Sequence, residues 1–256
     1  MWNSSLTEEQ REIRDLARKI AREVIVPVRA ELDEKEEFAW PVMKVLADAG
    51  LFGVYIPEEY GGFGRGIVEL CLVTEELSRV CGGIAVSYAA CGLGSYPLLL
   101  MGSEEQKKRF LPAIASGEKL AAFCVTESGA GSDVGGMRTT ARREGDSYYL
   151  TGTKQWITNG SVADVYTVVA LTDKTKGPRG ATAFIVEKGF PGLSFGKKEK
   201  KLGIRASSTT EVVLDECKVP KENVLSREGL GFVVAMRTFD YTRPGVAAQA
   251  LGIAEG

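Results

Sequence analysis

The residues best placed to do chemistry lie near the middle of the chain. Phe123-Cys124-Val125-Thr126-Glu127-Ser128-Gly129-Ala130-Gly131-Ser132-Asp133-Val134-Gly135-Gly136 reads as a strand running into a loop of small residues. Such a loop lets backbone N–H groups approach a ligand closely. Turns of Gly, Ser and Asp also follow many strands that bind nothing. The Gly and Lys spacing of a phosphate-binding P-loop is absent, and no βαβ unit follows to make a dinucleotide fingerprint. With no histidine in 256 residues, Ser-His-Asp hydrolysis, Cys-His proteolysis and histidine-ligated metals are excluded. Acid–base work must fall to carboxylates, Lys, Tyr or a cofactor.

Composition narrows the setting. At 44% apolar and 26% charged, with a net charge of -2, the chain reads as a globular protein with no nucleic-acid surface. Lys197, Lys198, Lys200 and Lys201 are interrupted by Glu199, the pattern of a solvated turn. Cys71, Cys81, Cys91, Cys124 and Cys217 are odd in number and lack CxxC spacing, so free thiols in a reducing, cytoplasmic setting are expected. The start, Met1 to Leu6, carries no leader pattern, and no apolar run approaches the length of a membrane span.

Three blocks must position the central segment. The first is helical. Thr7 with Gln10 forms a capping-box signature, and Ile13, Leu16, Ala17, Ile20 and Val24 follow at helical spacing up to Pro27. Pro41 opens a second helix, with Val42, Val45 and Leu46 on one face and Gly50 as its stop. Pro57 to Gly62 is turn-rich. Helices resume over Ile67 to Val80 and Ile84 to Leu100, and Ser103 with Gln106 caps another that reaches about Ser116. From Lys119 the texture turns to short β runs: Ala121 to Thr126, Ser147 to Thr151, Val165 to Leu171, Thr182 to Glu187 and Thr210 to Leu214. Without intervening helices, these imply an antiparallel barrel or sandwich. A helical pattern returns near Gly229. The expectation is an α+β chain: a helical domain over 1–118, a central antiparallel β-domain over 119–228, and the first helix of a C-terminal bundle over 229–256, which looks cut short.

Beyond composition and periodicity, the run Cys124-Val125-Thr126-Glu127-x-x-Ala130-Gly131-Ser132-Asp133-x-x-Gly136 resembles the first signature of the acyl-CoA dehydrogenases. Gly152-Thr153-Lys154-Gln155-Trp156-Ile157-Thr158-Asn159-Gly160 is similar to the same family's second flavin-contacting strand. Pro57 to Gly62, Gly102 to Lys107, Val219 to Leu225 and Phe239 to Pro244 are further family-like stretches, in family order from Leu6 to Gly256. The resemblance implies FAD as cofactor. Phe123, Val125, Thr126, Gly131 and Ser132 would contact it from one side, and Trp156, Ile157 and Thr158 from the other. On periodicity alone, Trp156 and Ile157 pass as barrel core. Ser132, Asp240, Tyr241, Thr242 and Arg243 match positions that contact the CoA substrate, although Arg243 could equally be a buried ion-pair partner of Asp240.

The implied reaction removes an α-proton to a carboxylate and passes the β-hydrogen to the flavin, giving the 2-enoyl-CoA. Electrons then go to an electron-transferring flavoprotein, and the family resemblance implies a dimer or tetramer. Some relatives place the base at the position of Thr242; here it is Thr, so no residue is assigned as base and one is expected past Gly256. Glu127 reads as structural. Along Ile84 to Leu100, Ala85, Ala89, Ala90, Cys91, Gly92 and Gly94 leave room. No Arg or Lys lies between Gly82 and Gln106, where a dicarboxylate tail would need a cation. An uncharged acyl group, with space for a bulky or branched one, is expected. Acyl-CoA oxidase and a truncated, non-catalytic acyl-CoA binder are the rival readings.

Overall fold

A computed structural model describes residues 5–256 of the chain; Met1 to Ser4, part of the segment read as lacking a leader, lie outside the described residues. Helix α1 (Glu8–Ile20) opens on the expected capping box. The Thr7 hydroxyl accepts from the Gln10 N–H at 3.2 Å, and the Gln10 side chain accepts from the Thr7 N–H at 3.1 Å. A π-helical turn, Ala21–Ile25, carries the chain to Pro27. It leads into α2 (Arg29–Lys35), which sequence periodicity did not reveal because none of its residues is buried. Helix α3 (Trp40–Asp48) has proline in its first turn and stops before Gly50, which takes the left-handed conformation (φ 74°) that glycine tolerates.

Helices α4 (Ile67–Ser78) and α5 (Gly82–Met101) form the centre of the helical layer, with α6 (Glu104–Ala115) beside them. Helix α5 is 20 residues long with a mean hydropathy of 1.5 over its most apolar stretch. By length and composition it could cross a membrane, contrary to the sequence expectation. Its burial explains the composition: Ile84, Ala85, Tyr88, Cys91 and Leu98 are fully enclosed by the protein's own core. Arg18 of α1 grips Glu76 of α4 through two hydrogen bonds (2.6 and 3.0 Å), fixing the outer helix to the inner one.

The β-domain is one eight-stranded sheet: β1 (Ala121–Cys124), β2 (Thr140–Glu144), β3 (Ser147–Thr158), β4 (Val165–Leu171), β5 (Ala181–Glu187), β6 (Leu193–Phe195), β7 (Thr209–Pro220) and β8 (Val224–Leu225). Its order is β6-β7-β3-β2-β4-β5-β8, with β1 added against β4. Pairing is antiparallel except that β1 and the first residue of β2, Thr140, pair in parallel with β4. Strands β2, β6 and β8 were not legible in the sequence, being short or polar. β3 and β7 continue well past their expected ends: β3 runs through Gly152 rather than stopping there, and β7 passes the register shift with one extra residue, Glu216 taking φ 48°. Helix α7 (Gly231–Glu255) returns to pack on α4, α5 and β5. All five cysteines are unpaired.

Candidate functional site

Two polypeptide edges face each other at the end of β1. Past Cys124 the chain leaves the sheet, and the Gln155 N–H of β3 donates to the Thr126 carbonyl at 2.8 Å. Between Lys154 and Ile157 the register of β3 with β7 shifts, and the extra residue turns Trp156 into left-handed backbone, φ 56°. That conformation costs a bulky residue about 1–3 kcal/mol. Burial does not offset the cost, since the indole is 54% exposed. Trp156 is therefore not barrel core, as periodicity allowed; Ile157 is buried.

Phe123, Val125, Thr126, Trp156, Ile157 and Thr158 together line a single cleft, closed by Ala90 and Leu93 of α5 and by Phe239 of α7. The Phe239 ring meets that of Phe123 edge-on, 5.6 Å between centroids. Sharing Ala90, Leu93 and Thr158 with this cleft is a second, apolar cavity between α4, α5 and α7. Leu70, Val86, Ala89, Thr242, Gly245, Val246 and Gln249 complete its lining. Neither lining contains a carboxylate or a cation. Thr242 spends its hydroxyl on the Thr238 carbonyl at 2.7 Å.

The other candidate residues fall outside these two cavities. Asp240 and Arg243 pair across one turn of α7 at 3.7 Å, but their side chains are 73% and 72% exposed. The buried ion pair considered from sequence is a surface one, of little energetic weight. Tyr241 is exposed, its ring 6.1 Å from that of Tyr96. Gly131 and Ser132 are exposed, just past a turn that Glu127 and Ala130 close by reciprocal hydrogen bonds. A Cβ on Gly131 would meet nothing within 4 Å, and its φ is not left-handed. Nothing within the chain demands glycine there, whereas a closely approaching ligand would.

Three features escaped sequence reasoning. Gly135 abuts Pro178, whose side chain would lie 3.1 Å from a Cβ there. Pro178 lines an open cleft with Lys176, Arg179, Gly229, Phe232 and Val233, and Asp173 engages the Lys176 ammonium at 3.0 Å. Lys154 is wholly buried, donating to the Val125 carbonyl at 3.0 Å and to Glu127 at 2.7 Å. Its inward place in the alternation Tyr148, Leu150, Lys154 was the available signal. Glu127 also accepts from the N–H groups of Arg138 (2.7 Å) and Thr139 (3.1 Å). Burial pushes its carboxyl up, but the Lys154 charge and these hydrogen bonds outweigh that and hold it below the usual glutamate range. Burial likewise draws the Lys154 ammonium down, with Glu127 opposing. Finally, buried Asn159 donates to the Ser87 carbonyl at 2.8 Å, tying the end of β3 to α5.

Residues 7–118 match the acyl-CoA dehydrogenase N-terminal domain and residues 122–217 the middle domain of the same family. A curated relative, "Acyl-CoA dehydrogenase, short-chain specific" of Clostridium acetobutylicum, is 47% identical over 253 residues, covering 98% of this chain and 67% of its own length. Butyryl-CoA dehydrogenase from Megasphaera elsdenii superposes with a TM-score of 0.95 at 43% identity, over 98% of this chain and 67% of that one. A chain from the structure of an electron transferring flavoprotein of Acidaminococcus fermentans gives 0.96 at 45%, over 98% and 66%. The chain thus spans about two thirds of the length of the curated relatives it matches.

Proposed function

Because the chain belongs to the acyl-CoA dehydrogenase family, whose members depend on FAD, we propose that it serves the α,β-dehydrogenation of an acyl-CoA thioester to the 2-enoyl-CoA. The observation that carries this reading is that a cleft walled by Phe123, Val125, Thr126 and Trp156 shares Ala90, Leu93 and Thr158 with an uncharged apolar cavity. From a strained backbone Trp156 presents an exposed indole in the cleft, a face on which a flat ring system would stack. Gly131 leaves open the approach that a cofactor would fill. FAD bound in this cleft would accept the β-hydrogen of the substrate as hydride.

The chain's own residues then position the substrate. Ala89, Ala90 and Gly245 give an acyl chain room beside Thr158, and buried Leu70 walls it from within the core. We place the CoA portion beside Ser132, with Lys176 and Arg179 of the cleft that Pro178 lines as candidate partners for its phosphates. Glu127 is committed to Lys154 and two amides, so the α-proton leaves to a group outside the lining of both cavities. The apolar lining favours an uncharged acyl group, and the curated short-chain relative suggests a short one. We further read the electron acceptor as an electron-transferring flavoprotein. The working form would be a homo-oligomer, dimer or tetramer, in a reducing cytoplasm where the cysteines stay free.

Reconstitution with FAD followed by anaerobic addition of butyryl-CoA tests this. The protein is expected to take up FAD and to show visible flavin bands that butyryl-CoA perturbs. Bleaching of those bands demonstrates dehydrogenation, and perturbed but oxidised flavin marks the non-catalytic binder. Peroxide formed on admitting air separates the oxidase. Failure of the folded protein to bind FAD would refute the reading.

A further inference from the structure

The pair of buried charges behind the cleft has no part in the chemistry above. Ion pairs in such places add little net stability, because desolvating both groups costs about as much as their attraction returns; well-packed apolar residues often replace them without loss. The geometry of this pair offers another reason for it. Strand β1 hydrogen-bonds to β4, not to β3. The two edges of the cleft are instead joined by the Gln155 N–H to the Thr126 carbonyl and by the Lys154 ammonium to the Val125 carbonyl. Lys154 is also the last residue in register before the bulge that presents Trp156. Its partner Glu127 gathers the amides of Arg138 and Thr139, closing the loop that carries Gly131 and Ser132.

We infer that Lys154 and Glu127 form a positioning device that sets the separation between the Val125–Thr126 edge and the Trp156–Thr158 edge of the FAD cleft, and holds the Gly131 loop against both. This rests on the FAD reading of the cleft. One ammonium reaches both edges and one carboxylate reaches the loop, so the three surfaces share a single fixed point that no side chain in contact with the cofactor supplies. An apolar pair of similar volume would fill the space but leave the two edges tied by the Gln155–Thr126 backbone hydrogen bond without the second tie from Lys154, and the loop without its carboxylate acceptor.

The test compares the wild-type protein with Lys154→Met/Glu127→Gln, which is near in volume and uncharged. The apo variant is expected to keep its circular dichroism and a cooperative melt. Its FAD affinity should fall at least roughly tenfold, the scale on which supporting contacts behind a site act. Its visible flavin bands and midpoint potential should shift, readouts that a purely structural pair would not move. Glu127→Asp, which keeps the charge but shortens the reach, provides the decisive arm if the double variant does not fold; its bands are expected to shift too. Flavin bands and potential equal to wild type, with affinity within about twofold, would overturn the inference. If the wild-type protein itself takes up no FAD, the functional reading fails first and this inference with it.

Discussion

Trp156 shows how a site can be recognised one residue at a time. A tryptophan at φ 56° with half its surface in solvent is costly for the isolated chain, in backbone conformation and in apolar exposure alike. Glycine at that position would relieve the strain. Trp156→Gly is therefore expected to leave the melting temperature of the apoprotein unchanged or to raise it. The same change should weaken FAD binding roughly tenfold, since a stacked aromatic contact contributes about 0.5–1.5 kcal/mol beyond its buried area. Parallel thermal melts and flavin titrations would check both halves. A large loss of apoprotein stability would show instead that the indole is structural. Neither the angle nor the exposure could be read from sequence, because both follow from a register shift between β3 and β7.

At the scale of elements, the closeness of α5 to β1 governs the shape of the cleft. Gly94 makes it possible: a Cβ there would stand 2.6 Å from the Ala122 nitrogen and 2.8 Å from the Ala121 carbonyl carbon. Backbone cannot yield as a flexible side chain can, so Gly94→Ala must push the helix away from the strand. We expect a loss of about 1–3 kcal/mol in chemical denaturation, as for other overpacked cores. FAD should also bind more weakly, because Ala90 and Leu93 on the same helix close the cleft over Phe123 and Val125. In sequence Gly94 counted only as room beside an acyl chain. The helix itself was legible, as were α1 and α6 from their capping boxes, since those signals are local.

Across the whole molecule, the apolar cavity exists only where three helices meet. Leu70 comes from α4, Val86, Ala89 and Ala90 from α5, and Thr242 to Gln249 from α7; more than 140 residues of chain separate the last two groups. No cation reaches its lining, so a carboxylate at the end of the acyl chain would be desolvated without a partner. Butyryl-CoA is accordingly expected to displace a bound CoA thioester at lower concentration than glutaryl-CoA does, in a competition read by the flavin spectrum. Equal potency would mean that the tail lies elsewhere or stays in water.

Sequence alone determined the family, the order of helical and β-rich blocks, and the strand and loop around Phe123 to Gly136. These depend on local periodicity, caps and a contiguous motif. Tertiary structure decided which residues those motifs face. It brought Phe123, Thr126 and Trp156 to one cleft beside Ala90 and Phe239, kept Asp240 and Arg243 on the surface, and enclosed Lys154 against Glu127. The difference is physical: a motif fixes what a segment can contact. Burial, strain and charge pairing arise only when segments distant in sequence close on one another.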